Sequence, residues 1–142
     1  MCFNCAIKEV EMVKSLKPFL MFVDTAEQAV NQYLALFPEA VLDKVVRYGP
    51  GEPGPEGKLY RAVLRIAGQD VMIFDSYVKH EFSFTPAVSL FVECEDLAEF
   101  ERLYAGLSEE GGILMEAGEY GFSTRFAWLN DRFGLSWQLN LA

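Results

Sequence analysis

Apolar residues along this chain change their spacing in a fixed order, and the order occurs twice. Residues 17–23, Lys-Pro-Phe-Leu-Met-Phe-Val, form a short apolar run that predicts a buried strand. Ala26, Val30, Tyr33, Leu34 and Phe37 follow at helical spacing and predict an amphipathic helix. Thr25 is expected to cap it, with Gln28 reaching back, and Pro38 to stop it. About 69 residues later the pattern returns. Residues 87–92, Ala-Val-Ser-Leu-Phe-Val, predict a second strand, and Leu97, Phe100, Leu103 and Leu107 a second helix. Asp96 and Glu99 supply the cap of that helix, and Gly111-Gly112 ends it.

Three further strands are expected after each helix. In the first half they span 41–48, 59–66 and 70–75, with a Gly/Pro-rich loop at 49–57 and a short Gly68-Gln69 turn. In the second half they span 113–117, 123–129 and 135–139, with a tight turn at Asp131 to Gly134. The fold class is therefore α+β, built from two βαβββ modules at about 16–79 and 86–142, linked by 80–86. Neither half has enough core alone, so the two sheets are expected to join around one cavity. Residues 16–142 form one domain in this reading, and 1–15 an N-terminal extension in which Met12 is an alternative start.

Composition narrows the function classes. The chain has 142 residues, 51% hydrophobic, and a formal charge of −9, which offers no basic stripe for nucleic acid. No apolar run reaches the ~18 residues of a membrane span, and Glu11, Lys14 and Lys17 break the first apolar stretch. A cytoplasmic protein is expected. Cys2 and Cys5 have metal or redox spacing, but no second pair follows and His80 is the single histidine. Cys94, at the end of a strand, is expected to pack as a small hydrophobe.

Several segments together carry a family resemblance. They are Pro18-Phe19-Leu20-Met21-Phe22, the helix Ala26 to Tyr33 leading to Leu36-Phe37-Pro38, Arg47-Tyr48-Gly49, Gly54-Pro55-Glu56-Gly57, Phe84-Thr85-Pro86-Ala87-Val88-Ser89, and the run Trp128 to Gln138. On these, residues 16–140 resemble the glyoxalase/bleomycin-resistance/extradiol dioxygenase superfamily, also called vicinal oxygen chelate. Within it they resemble the PhnB-like branch, labelled 3-demethylubiquinone methyltransferase-like. The resemblance implies a glyoxalase-like cupped mixed sheet, a small-molecule ligand in the cup, and a homodimer. Methyl transfer is not expected, because the Gly-rich stretch 49–57 joins two hairpin strands instead of opening a helix after a strand.

Metal-dependent members of the superfamily place ligands at four equivalent strand positions. Aligning the repeat puts these at Pro18, Met72, Ala87 and Gln138. None offers the carboxylate, imidazole or thiolate that a divalent ion needs, so no metal and no cofactor are expected. Strand alternation then predicts a pocket wall of Leu20, Phe22, Met72, Phe74, Ser89, Phe91, Ser136 and Gln138, with a filled core as the competing reading. Trp137 is expected against a helix, and Trp128 has no assigned face. Arg61, Arg65 and Arg125 alternate with apolar neighbours on middle strands and are expected on a solvated sheet face; one turned inward would hold an anionic group by a bidentate bond. His80 is expected in the linker. Two function classes stay open: a small-molecule-binding protein without the usual metal site, and a metal-dependent or metal-independent enzyme acting on a small oxygenated substrate. No catalytic residue is assigned.

Overall fold

The computed structural model describes residues 12–142, so the Cys2–Cys5 pair lies outside the described residues. The elements are β1 (Phe19–Val23), α1 (Ala26–Leu36), β2 (Val41–Arg47), β3 (Leu59–Ile66), β4 (Gln69–Ser76), β5 (Ser89–Glu93), α2 (Leu97–Ser108), β6 (Gly112–Gly118), β7 (Arg125–Asn130) and β8 (Ser136–Leu141). They form two four-stranded mixed sheets, ordered β1-β4-β3-β2 and β5-β8-β7-β6. In each sheet the first strand lies parallel to the last, and the other pairs are antiparallel. Two copies of strand–helix–strand–strand–strand are thus present, as the repeated spacing predicts. No described helix is long and apolar enough to cross a membrane.

The two helices are capped differently. Asp96 accepts a hydrogen bond from the Glu99 N–H at 2.8 Å, and Glu99 reaches back to the Glu95 N–H at 2.7 Å. The first bond satisfies a free donor of the first turn, and the second ties the residue before the cap to that turn. Thr25 makes no such bond. Its expected role passes to Asp75 of β4, whose carboxylate accepts from the Ala26 N–H at 3.3 Å. Asp24, at φ 68°, turns the chain sharply between β1 and α1.

One core serves both modules. Leu20, Phe22, Val71 and Ile73 of the first sheet and Leu129, Trp137 and Leu139 of the second belong to a single buried cluster with the apolar faces of α1 and α2. Trp137 packs on α1, 5.3 Å from the Tyr33 ring and stacked 5.6 Å from Phe37. Phe22 meets Phe133 at 6.3 Å. The helices also touch each other, with the Gln32 side chain donating to the Gly106 carbonyl at 2.9 Å. Past α2, Gly111 lies so close to the Asn130 carbonyl and the Asp131 backbone that a Cβ there would overlap them, whereas Gly112 has open space.

This arrangement corrects the expectation that the wall faces of the two sheets enclose one cavity. Each sheet must bury one face against amphipathic helices, and both turn that face toward the common core. The other two faces therefore look outward, and β1 and β5 remain edge strands.

Candidate functional site

Each open face follows from strand periodicity. In the first sheet, Phe19 pairs with Met72 and Met21 with Phe74, while Val63 and Arg61 of β3 sit opposite Met72 and Phe74. The Phe19 and Phe74 rings lie 5.5 Å apart, and Tyr60 is 5.5 Å beyond Phe74. In the second sheet, Ser89 pairs with Ser136, Phe91 with Gln138, and Gln138 with Trp128. The Trp128 indole N–H donates to the Ser136 hydroxyl at 2.9 Å, and the Ser89 and Ser136 hydroxyls are hydrogen-bonded at 2.8 Å. Phe126, Phe122 and Tyr120 extend this face as an aromatic cluster, with ring distances of 5.1 to 6.2 Å among the three.

Six of the eight expected wall residues lie on these faces: Met72, Phe74, Ser89, Phe91, Ser136 and Gln138. Leu20 and Phe22 do not. They are 7% and 1% exposed and point into the helix-packed core. The strands show why: β1 begins at Phe19 and β5 at Ser89, so Phe22 corresponds to Val92 and not to Phe91. A one-residue slip in aligning the repeat moves a side chain to the opposite face. The outward residues of β1 are Phe19 and Met21, which the sequence reading passed over.

The expected ligand positions are affected in the same way. Met72 and Gln138 are on the open faces, but Met72 lies across from Phe19 and corresponds to Ser136, not to Gln138. Pro18 precedes β1, its carbonyl accepting from the Met72 N–H at 2.8 Å. It is out of phase with Ala87, an exposed residue before β5. The groups that the central strands offer on their open faces are aromatic rings, a thioether, hydroxyls, amides and the Arg61 guanidinium. These do not fit a divalent ion, and the described residues contain no cluster of three His, Cys, Asp or Glu side chains suited to one.

Other candidate groups are committed elsewhere. Asp70 bonds Arg65 at 2.7 Å, and that hydrogen bond holds its carboxyl below the usual range. Burial pushes the Asp75 carboxyl up, partly offset by its bond from Ala26. Cys94 is buried, and its thiol is pushed up to about 11, first by desolvation and then by Glu99. His80 stacks on Phe82 with ring centres 4.9 Å apart, and its Nε2 lies 3.3 Å from the Ser76 hydroxyl. A cleft of ≈ 650 Å³ lies between the modules, lined by Pro18, Ile66 and Val71 of the first and by Ser89, Phe91 and Trp137 of the second.

The sequence reading did not assign the buried carboxylate of Asp131. It accepts four hydrogen bonds: from Tyr33 Oη at 2.5 Å, Trp137 Nε1 at 2.9 Å, and the N–H groups of Phe133 and Leu135 at 2.9 and 3.0 Å. Burial, then the charge of Asp131, raises the Tyr33 phenol far above its ordinary value. The only signal for this joint is the turn itself, where Asp131 precedes Gly134, at φ 89°.

Paired βαβββ modules with helix-covered and open sheet faces define a glyoxalase-fold protein of the vicinal oxygen chelate superfamily, on its PhnB-like branch. More narrowly, the chain belongs to the family described as 3-demethylubiquinone-9 3-methyltransferase, whose model matches residues 14–140. A solved PhnB protein from Bacillus cereus is 45% identical, with a TM-score of 0.86 over 91% of this chain and 100% of that one. Protein YjdN from Escherichia coli is 24% identical over 139 residues, which is 89% of this chain and 94% of that protein. The fosfomycin resistance protein FosX from Mesorhizobium loti, at 15% identity, shares the fold with a TM-score of 0.55 over 92% of this chain and 94% of its own.

Proposed function

We propose that this protein binds a small, largely apolar molecule on the open faces of its sheets, without the metal centre common in the superfamily. The observation that carries the reading is the chemistry of those faces. They present Phe19, Met21, Met72 and Phe74 on one sheet and Ser89, Phe91 and Gln138 on the other, an apolar lining with a few polar groups. Bonds from Trp128 and Ser89 to the buried Ser136 hydroxyl fix the second face from behind.

A homodimer completes the site in this reading. Phe19 and Phe91 are 54% and 55% exposed, and contiguous apolar surface of this kind marks an interaction site. The edge strands differ too. β2 and β6 carry register irregularities, which blunt an edge, whereas the pairings of β1 and β5 run without a break. A second copy would set β1 of one chain beside β5 of the other and bring the two kinds of open face around one cup.

Methyl transfer is not part of this proposal, despite the family description. β1 enters α1 through Asp24-Thr25, not a Gly-rich turn, and the first helical N–H is taken by Asp75. Native mass spectrometry of protein purified without chelator tests the reading, with a co-purified organic ligand and a two-chain mass expected. A stoichiometric divalent ion held by side chains of the cup, or micromolar binding of S-adenosylmethionine in calorimetry, would overturn it.

A further inference from the structure

The chain has six arginines, and five reach a carboxylate: Arg47 with Glu27, Arg65 with Asp70, Arg102 with Glu99, Arg125 with Glu101 and Arg132 with Glu110. Arg61 has no ion pair and donates no hydrogen bond among the described residues. The protein carries 21 Asp and Glu against 12 Lys and Arg, so carboxylates are in excess. A guanidinium left without one here is exceptional within its own structure.

Its position is specific as well. Arg125 is on the helix side of its sheet, 5.8 Å from the Phe100 ring centre, and Arg65 is forked onto Asp70. Arg61 is on the open face, opposite Phe74 on one side and Val46 on the other. Its Cζ lies 5.6 Å from the centre of the Tyr60 ring, which is itself 5.5 Å from Phe74. An aromatic row from Phe19 through Phe74 to Tyr60 therefore ends at an uncommitted cation.

We infer that Arg61 recognises an anionic group, and that the open face takes a flat apolar molecule carrying one carboxylate or sulfonate. The inference rests on the binding reading above and names the ligand class for it. The planar guanidinium matches two oxygens of such a group with parallel hydrogen bonds. The Tyr60 ring beside the cation helps to orient it, and the Phe74 and Phe19 rings offer faces and edges on which a flat molecule packs. The net charge of −9 repels anions at long range, so recognition depends on this local cation.

Fluorescence titration of the full chain with two probes of one ring system tests this. The probes are 8-anilino-1-naphthalenesulfonate, an anion, and N-phenyl-1-naphthylamine, which is neutral. Arg61→Gln is expected to weaken the anionic probe by about tenfold or more, with the neutral probe unchanged. Arg61→Lys should recover part of the loss, and Arg65→Gln should cause none. Equal affinity of wild type and Arg61→Gln for the anionic probe would overturn the inference, as would equal loss of both probes. A change in sedimentation mass without selective loss of the anion would also overturn it, by assigning the guanidinium to contact between copies. If the neutral probe binds wild type, those failures leave the binding reading standing. If neither probe binds, the binding reading falls and the inference with it.

Discussion

Tyr33, on the first helix, donates its phenolic proton to the Asp131 carboxylate across 2.5 Å, so a residue of the first module is bonded to the turn that closes the second. Trp137 and two backbone N–H groups share the same carboxylate. Asp131→Ala leaves four donors, three of them buried, without their acceptor and is expected to cost about 3 kcal/mol or more. Tyr33→Phe removes one charge-assisted bond and should cost about 1.5–3 kcal/mol. Because both substitutions act on one network, urea unfolding of the double variant should show less than the sum. Additive losses would mean the bond does not couple the modules.

Adjacent residues on β1 should respond in opposite ways. Leu20 is in the core and Phe19 on the open face. Leu20→Ala is expected to destabilise the chain by about 2–5 kcal/mol, and Phe19→Ala by about 1 kcal/mol or less. Phe19→Glu should instead weaken self-association, read as a fall in mass by light scattering at unchanged unfolding midpoint. If Leu20→Ala were as mild as Phe19→Ala, the face assignment of β1 would be wrong.

The Gly111-Gly112 pair allows a sharper comparison. A methyl at Gly111 meets backbone atoms of Asn130 and Asp131, which cannot rotate away, while at Gly112 it meets nothing. Gly111→Ala is expected to lower stability by about 1–3 kcal/mol. Gly112→Ala should leave it unchanged or slightly raised, since alanine restricts the unfolded chain. Thermal unfolding of the two variants side by side decides this.

Asp75 makes a pH-dependent contribution. Burial raises its folded-state value, so the fold prefers the protonated carboxyl. The stability this gives is complete below the ordinary aspartate value and is lost as pH rises through the raised one. Asp75→Asn imitates the protonated form and keeps an acceptor for the Ala26 N–H. It should match wild type in acid and exceed it at neutral pH, as measured by urea unfolding across that range. A gap that widens toward acid would reverse the sign.

How far the sequence carried the structure depends on how clearly each strand marks its faces. β8 alternates Ser-Trp-Gln-Leu-Asn-Leu, with polar side chains on one side, and the inward place of Trp137 and the outward places of Ser136 and Gln138 followed directly. β1 reads Phe-Leu-Met-Phe-Val, apolar on both sides, so nothing in it distinguishes Leu20 from Phe19. There the repeat had to decide, and a one-residue error inverted the strand. The capping of α2 was legible because Asp96 and Glu99 are local to it. The capping of α1 was not, since its acceptor comes from Asp75, 49 positions away in the chain. The Asp131 joint was hidden for the same reason, because sequence spacing does not report bonds between modules.

Duplication of the module also duplicated its regular free edge, leaving β1 and β5 each with unpaired backbone groups. A chain with one such edge can only pair, but a chain with two has the valence of a polymer unit. Joining β1 to β5 twice about a two-fold axis uses both edges and ends growth; joining them once per neighbour builds a filament. The repeat that made the fold therefore poses a choice between a closed pair and an endless chain. The nine surplus negative charges raise the cost of adding each further copy.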